Sequence, residues 1–397
     1  LLVLAAPIFL LYFFFAYCSS IGDFIQFQSA HVALSSGINP YIPEVTLKIQ
    51  QNIFADSNKI NIALMMWTLP WILPLLCPLG FSNITEYSIL QWSIWGAFLV
   101  IASVYILFSD ENSTLYSKHH KIFAFIAVCL GAPLLDAFKL HQSTPIFLLS
   151  LSLFYISLRH HKHLFCGLCM SIWIIKPHLF LLVVLNLLLN FRKLSSFAIT
   201  IIGAIIGIIT LLILSELNYP GGTMMWLDTL QFSEHYHDST ISRINWKGAN
   251  LFGFLRDIFD STHPILLILP SVIIWVLFIY LRVRTKLISD NILNLAWIIP
   301  LSILSAPYGW FYDYSLCLVS IFLTFKVASI ANRLTLVVSL TLAYNILVGC
   351  YYLYAARMQH QMWWYPVGCL VIYLIATSQY PTSRRLKSIV ISHVYEK

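Results

Sequence analysis

The chain has 397 residues, of which 59% are hydrophobic and only 10% charged, with a formal net charge of +7 and a mean hydropathy of +0.81. Soluble chains carry about 25% charged residues, so an ordinary soluble domain is excluded. Apolar runs near 20 residues, such as 265–281 with its flanks, are long enough to cross roughly 30 Å of hydrocarbon. The class is all-α: a polytopic integral membrane protein.

The first apolar run begins at Leu1 without a methionine or a basic leader. No small-residue cleavage site followed by a soluble domain appears, so residues 1–17 read as a retained first span inside a longer gene product. Just beyond it, GDFIQFQSAHVALSSGINPY (22–41) places Asp23 at the end of the span. Such an aspartate is either a helix cap or a desolvated carboxylate able to accept a proton from a hydroxyl. Asn39-Pro40-Tyr41 closes the stretch as a turn that sends the loop along the membrane surface.

Basic clusters at 117–121, 159–163, 191–193, 282–286, 326–333 and 383–387 mark the cytoplasmic side, because positively charged short loops are retained there. About 12 spans satisfy that assignment, with both termini inside: 1–18, 88–108, 121–136, 143–158, 164–176, 178–190, 194–215, 263–281, 288–306, 313–328, 334–354 and 363–379. Segment 61–80, with Pro70, Pro74 and Pro78, reads as a broken, re-entrant or interfacial element. Fifteen of the 23 Lys and Arg then fall inside, and twelve of the 16 Asp and Glu outside. Two large segments, 19–87 and 216–262, lie outside, with shorter outer turns near 137–142, 176–178, 306–312 and 355–362. Residues 1–397 form one membrane-embedded unit.

The outer turns hold the unusual polar groups. Lys139, His141 and Gln142 present a cation, an imidazole and an amide to one face. In Lys176-Pro177-His178, a lysine interrupts an apolar run where proline breaks the helix. An isolated intramembrane lysine is costly unless it reaches water or a partner; it either snorkels to the headgroups or binds a phosphate. In the loop 216–262, Arg243 and Lys247 are further phosphate candidates, and Asn250 stands at the start of an apolar helix. Glu234, His235, His237 and Asp238 match no metal-site spacing, and no metal or cofactor is expected. The turn 306–314, with Trp310 among its aromatics, suits either membrane anchors or a sugar-stacking pocket. Cys166 and Cys169 lie in an apolar run and read as helix-packing residues.

Taken in order, these segments resemble glycosyltransferase family 87 of the glycosyltransferase C superfamily over about residues 20–315. The pieces are Asp23 before a turn with Gly37, Asn39, Pro40 and Tyr41; the run TLPWILPLLCPLGF; His141-Gln142; IIKPHLF; Asn250; and Pro307 with Trp310. The resemblance implies an inverting transfer of a sugar, mannose favoured, from a polyprenyl-phosphate donor to a lipid or glycan hydroxyl outside the cytoplasmic membrane. Asp23 would be the base, and Lys176, Arg243 and Lys139, in that order, would hold the donor phosphate. His141, Gln142, His178, Asn250, Trp310 and Tyr41 would line the substrate site. Two departures stand out: His141 occupies a position where the family has Gly, and Phe311-Tyr312-Asp313 replaces a His-containing tail. Membrane lipids are expected partners and nucleic acid is not. A flippase of lipid-linked sugars would share broken helices, and a lipid-linked oligosaccharide polymerase or ligase would share cationic outer loops.

Overall fold

The computed structural model describes residues 23–53, 63–66, 68–82, 85–109, 118–190, 194–231, 248–259, 263, 265–285, 294–354 and 359–378. The expected span 1–18, the clusters 191–193 and 383–387, and Arg243 lie outside the described residues. All regular structure among the described residues is helical. In chain order the helices are α1 (Phe24–Ser35), α2 (Pro43–Ile53), α3 (Ile72–Leu76), α4 (Thr85–Ser109), α5 (Lys118–Cys129), α6 (Ala132–Lys139), α7 (Thr144–Arg159), α8 (His163–Trp173) and α9 (Leu181–Asn190). They continue as α10 (Leu194–Asn218), α11 (Gly222–Gln231), α12 (Leu251–Phe259), α13 (Ile265–Thr285), α14 (Leu295–Leu304), α15 (Cys317–Ile330), α16 (Leu334–Tyr354) and α17 (Tyr365–Thr377). Three 3-10 turns, Pro177–Leu179, Phe311–Leu316 and Gln359–Trp364, precede α9, α15 and α17.

Among the described residues, four helices are long and apolar enough to cross a membrane: α4, α10, Phe311–Ile330 and α16. The protein is a membrane protein, but a count of twelve full spans is not supported. The expected spans 164–176 and 178–190 are helices of 11 and 10 residues, each about 15–17 Å long. The expected span 121–136 breaks at Leu130-Gly131 into α5 and α6. Between 63 and 82 the described residues hold only the five-residue α3, too short to cross.

Helix α10 shows how apolar surface is distributed. Its exposed face carries Ile202, Ile205, Ile209 and Ile213, while Thr200, Gly203, Gly207, Leu211 and Ser215 are buried. Small residues inward and large aliphatics outward is the pattern of a lipid-facing helix, whose packing depends on close backbone approach. That approach is made to α8. A Cβ on Gly203 would stand 2.2 Å from the Leu164 carbonyl oxygen, and one on Gly167 would stand 2.0 Å from that of Thr200. Cys166 and Cys169 sit buried beside this seam as free thiols, and the Cys169 carbonyl accepts the Ser150 hydroxyl at 2.7 Å. Both are packing residues.

The helices also share a polarity. Lys139 ends α6, Lys176 follows α8, Asp313 precedes α15 and Tyr352 lies near the end of α16. The contacts among these residues bring those termini together at one end of the bundle.

Replacing Gly203 by Val would force α8 and α10 apart, because the obstructing atom is backbone. We expect a loss of about 1–3 kcal/mol or more, read as a lower Tm in detergent or nanodiscs. An unchanged Tm would mean that the two helices do not meet at this seam.

Candidate active site

Asp23 immediately precedes α1, where a cap would be expected, yet its side chain makes no capping hydrogen bond. Its Oδ2 instead accepts the Nε2–H of Gln142 at 2.6 Å. The carboxylate is thus held by a residue 119 positions away rather than spent on its own helix. Loss of water around it pushes its pKa up to about 6, opposed by the Gln142 hydrogen bond and by the positive charge of Lys176.

Gln142 is delivered by the end of α6. Its N–H bonds the Ala137 carbonyl at 2.9 Å, and that of His141 bonds Phe138 at 3.2 Å, the paired bonds of a Schellman turn. Such a turn needs one residue in the left-handed region, and His141 takes it with φ of 55°. Glycine adopts that conformation without strain, which gives a physical reason for the glycine of the family pattern. Here the imidazole is wedged edge-on between Phe24, at 5.7 Å, and Trp92, at 5.3 Å, and is fully buried. His141 therefore fixes the turn from behind, while Gln142 faces Asp23.

Lys176 is placed by the helix break. Proline at 177 ends α8, and the backbone groups that the break frees are satisfied by one hydroxyl: Ser302 Oγ donates to the Leu179 carbonyl at 2.8 Å and accepts the Leu182 N–H at 3.1 Å. Trp173 and Phe180 stack across the gap at 4.5 Å and 5°. The lysine does not snorkel outward. It is buried, and its Nζ donates to Asp313 Oδ1 at 2.7 Å while lying 4.8 Å above the Tyr312 ring. Asp313 Oδ2 in turn accepts the Trp310 N–H at 3.1 Å, which caps the 3-10 turn 311–316.

A third carboxylate, Asp136, is buried one turn before Lys139. Tyr352 donates to its Oδ1, whereas its Oδ2 has no hydrogen-bond partner among the described residues. Tyr352 stacks on Phe311 at 5.0 Å, and Lys139 Nζ lies 5.6 Å from the Tyr352 ring centre. The charges of Asp23 and Asp313 both act on Asp136, and those of Asp23, Asp136 and Asp313 all act on Tyr312. These groups occupy one electrostatic site. Sequence reasoning missed Asp136, which sits in an apolar stretch, and read Asp313 only as part of the turn 306–314.

The other candidates divide. His178 meets Tyr308 edge-on at 5.7 Å, and Tyr308 accepts the Trp310 indole N–H, so the turns 176–178 and 306–312 touch. Asn250 holds backbone: its Nδ2 donates to Ala306 at 3.2 Å and its Oδ1 accepts the Gly253 N–H at 2.8 Å, capping α12. Tyr41 is buried with its hydroxyl on the Thr68 carbonyl at 3.0 Å. No cluster of His, Cys, Asp and Glu suited to a metal occurs among the described residues.

A family model described as Glycosyltransferase family 87 matches residues 70–307, more than half of the chain. No curated protein and no solved structure matches.

Two predictions follow from this geometry. The Gln142 hydrogen bond favours the ionised form, so Gln142→Leu should raise the Asp23 pKa above its value of about 6, and the base form should then appear only at higher pH. A carbon NMR titration of labelled aspartate, assigned with Asp23→Asn, reads the midpoint; an unchanged or lower midpoint refutes the coupling. Removing one partner of a buried ion pair costs about 3–5 kcal/mol. Lys176→Met and Asp313→Asn should each destabilise strongly, and the double variant by much less than their sum. Additive losses in Tm would show that the pair is not coupled.

Proposed function

The chain belongs to glycosyltransferase family 87, and we propose that it moves a sugar, mannose in the first instance, from a polyprenyl-phosphate donor to a hydroxyl of a lipid or glycan acceptor. On this reading the site opens to the outer face of the cytoplasmic membrane, with both termini inside. The observation that carries the proposal is the Asp23 carboxylate, released from capping, desolvated and aimed by Gln142. A carboxylate with a pKa near 6 is ionised at neutral pH yet basic enough to take a proton, as a general base requires.

In the proposed reaction an Asp23 oxygen accepts the proton of the acceptor hydroxyl as the hydroxyl oxygen attacks the anomeric carbon. The bond between that carbon and the phosphate oxygen breaks on the opposite face. The electron pair leaves with the polyprenyl phosphate, and the configuration inverts. Preorganised cations near the departing oxygen lower the barrier by stabilising charge as it develops. Lys176, Arg243 and Lys139 remain the candidates, and a phosphate at Lys176 would share that cation with Asp313. Asp136, with one oxygen unpartnered, is suited to hold a second hydroxyl of the bound sugar. His178, Tyr308 and Trp310 would wall the donor sugar. Tyr41 and Asn250 would serve by holding the loops around it.

Asp23→Asn protein reconstituted in nanodiscs with polyprenyl-phosphate mannose should bind the donor as wild type does. Its transfer rate should fall about 10²- to 10⁴-fold, the usual contribution of a general base. Transfer at the wild-type rate would remove Asp23 from the mechanism, and failure of wild-type protein to consume that donor would remove the donor.

A further inference from the structure

The last helices carry a second concave site that the reaction above does not use. A cleft of about 470 Å³ is lined by Phe254 and Asp257 of α12, Leu347 and Tyr351 of α16, and Gln361, Trp363 and Trp364 before α17. Phe254 and Trp363 stack with centroids 4.9 Å apart, and Trp364 stands edge-on to Tyr351 at 5.8 Å. The Tyr351 hydroxyl donates to Gln361 Oε1 at 2.6 Å, which fixes the orientation of the amide.

The chemistry of this lining selects its ligand. An acyl chain would be matched by aliphatic walls, but Leu347 is the sole aliphatic residue among the seven that line the cleft. Burying the Asp257 carboxylate and the Gln361 amide against hydrocarbon would cost several kcal/mol each. A pyranose ring fits both halves of the lining. Its C–H face lies on an aromatic ring, and its edge hydroxyls donate to a carboxylate and pair with an amide. Aromatic side chains with a few convergent polar groups are the general make-up of a small-molecule site.

The cleft also shares a wall with the carboxylate cluster. Tyr351 faces it, while the next residue, Tyr352, bonds Asp136. Trp364 lines it, while the next residue, Tyr365, meets Phe311 edge-on at 6.2 Å.

We propose that this cleft is a carbohydrate subsite that holds a sugar ring of the acceptor. The assignment to the acceptor rests on the transfer reaction proposed above; sugar binding itself does not. The test is saturation-transfer NMR of α-linked mannobiose and of maltose with the full chain in nanodiscs. Wild-type protein should saturate the ring C–H protons of at least one disaccharide. Trp363→Ala should abolish the effect, and Asp257→Asn, which keeps the size of the side chain, should weaken binding about tenfold. Absence of saturation in the wild type, or equal saturation in both cleft variants, would overturn the subsite and leave the aromatics as membrane-interface anchors. Retained binding without transfer from polyprenyl-phosphate mannose would overturn the donor assignment while leaving the cleft intact.

Discussion

The buried pair between Lys176 and Asp313 is the interaction on which the rest of the site depends. An ammonium and a carboxylate removed from water each lose several kcal/mol of hydration, which their mutual attraction returns only when the geometry is good and the remaining valences are satisfied. Both conditions hold here. The contact is 2.7 Å, the second Asp313 oxygen takes a backbone N–H, and the lysine rests on the Tyr312 face. The pair ties the break after α8 to the turn before α15. Lys176 stands in that break, between the end of α8 at Trp173 and the 3-10 turn Pro177–Leu179.

The same cation reaches Asp23, where it works against desolvation. Three carboxylates, Asp23, Asp136 and Asp313, share the field of Lys176 and the more exposed Lys139. Burial pushes the Asp23 pKa up to about 6, and the Gln142 hydrogen bond and the Lys176 charge oppose that rise. A residue poised in this way exchanges a proton readily near neutrality. A carboxylate locked in a salt bridge would be too weak a base, and one buried without a hydrogen bond would stay protonated.

The sequence exposed the class, the broken elements and the interacting turns to different degrees, for physical reasons. Hydropathy marks apolar helices well, and the proline positions located the interruptions at 61–80 and at Lys176-Pro177. Span number was poorly legible, because an apolar stretch of suitable length need not be one straight helix; α5 and α6 divide at Gly131. Asp23 and Gln142 were both legible as candidates, but their contact was not, since it joins positions 119 residues apart. The substitution of His141 for a family glycine looked like a change of substrate contact. Its φ of 55° and its aromatic wedge make it a backbone matter instead. Asp136 carries no local signal at all, and only the approach of Tyr352 from the far end of the chain reveals it.

That long reach bears on where differences within such a fold would arise. The family match covers 70–307, a stretch that holds Asp136, Lys139, Gln142 and Lys176. The groups that complete each of them lie outside it. Gln142 is answered by Asp23 before the matched stretch, while Lys176 is answered by Asp313, and Asp136 by Tyr352, both after it. The matched core therefore supplies the hydrogen-bond donor, the cations and one carboxylate, and the flanks supply their counterparts. The C-terminal flank is also packed into that stretch: Asn345 Nδ2 donates to the Ala127 carbonyl at 2.8 Å, and the Ser320 hydroxyl donates to that of Ala296. The last helices thus reach the carboxylate cluster: α16 brings Tyr352 to Asp136, and the same helix end turns Tyr351 towards the cleft.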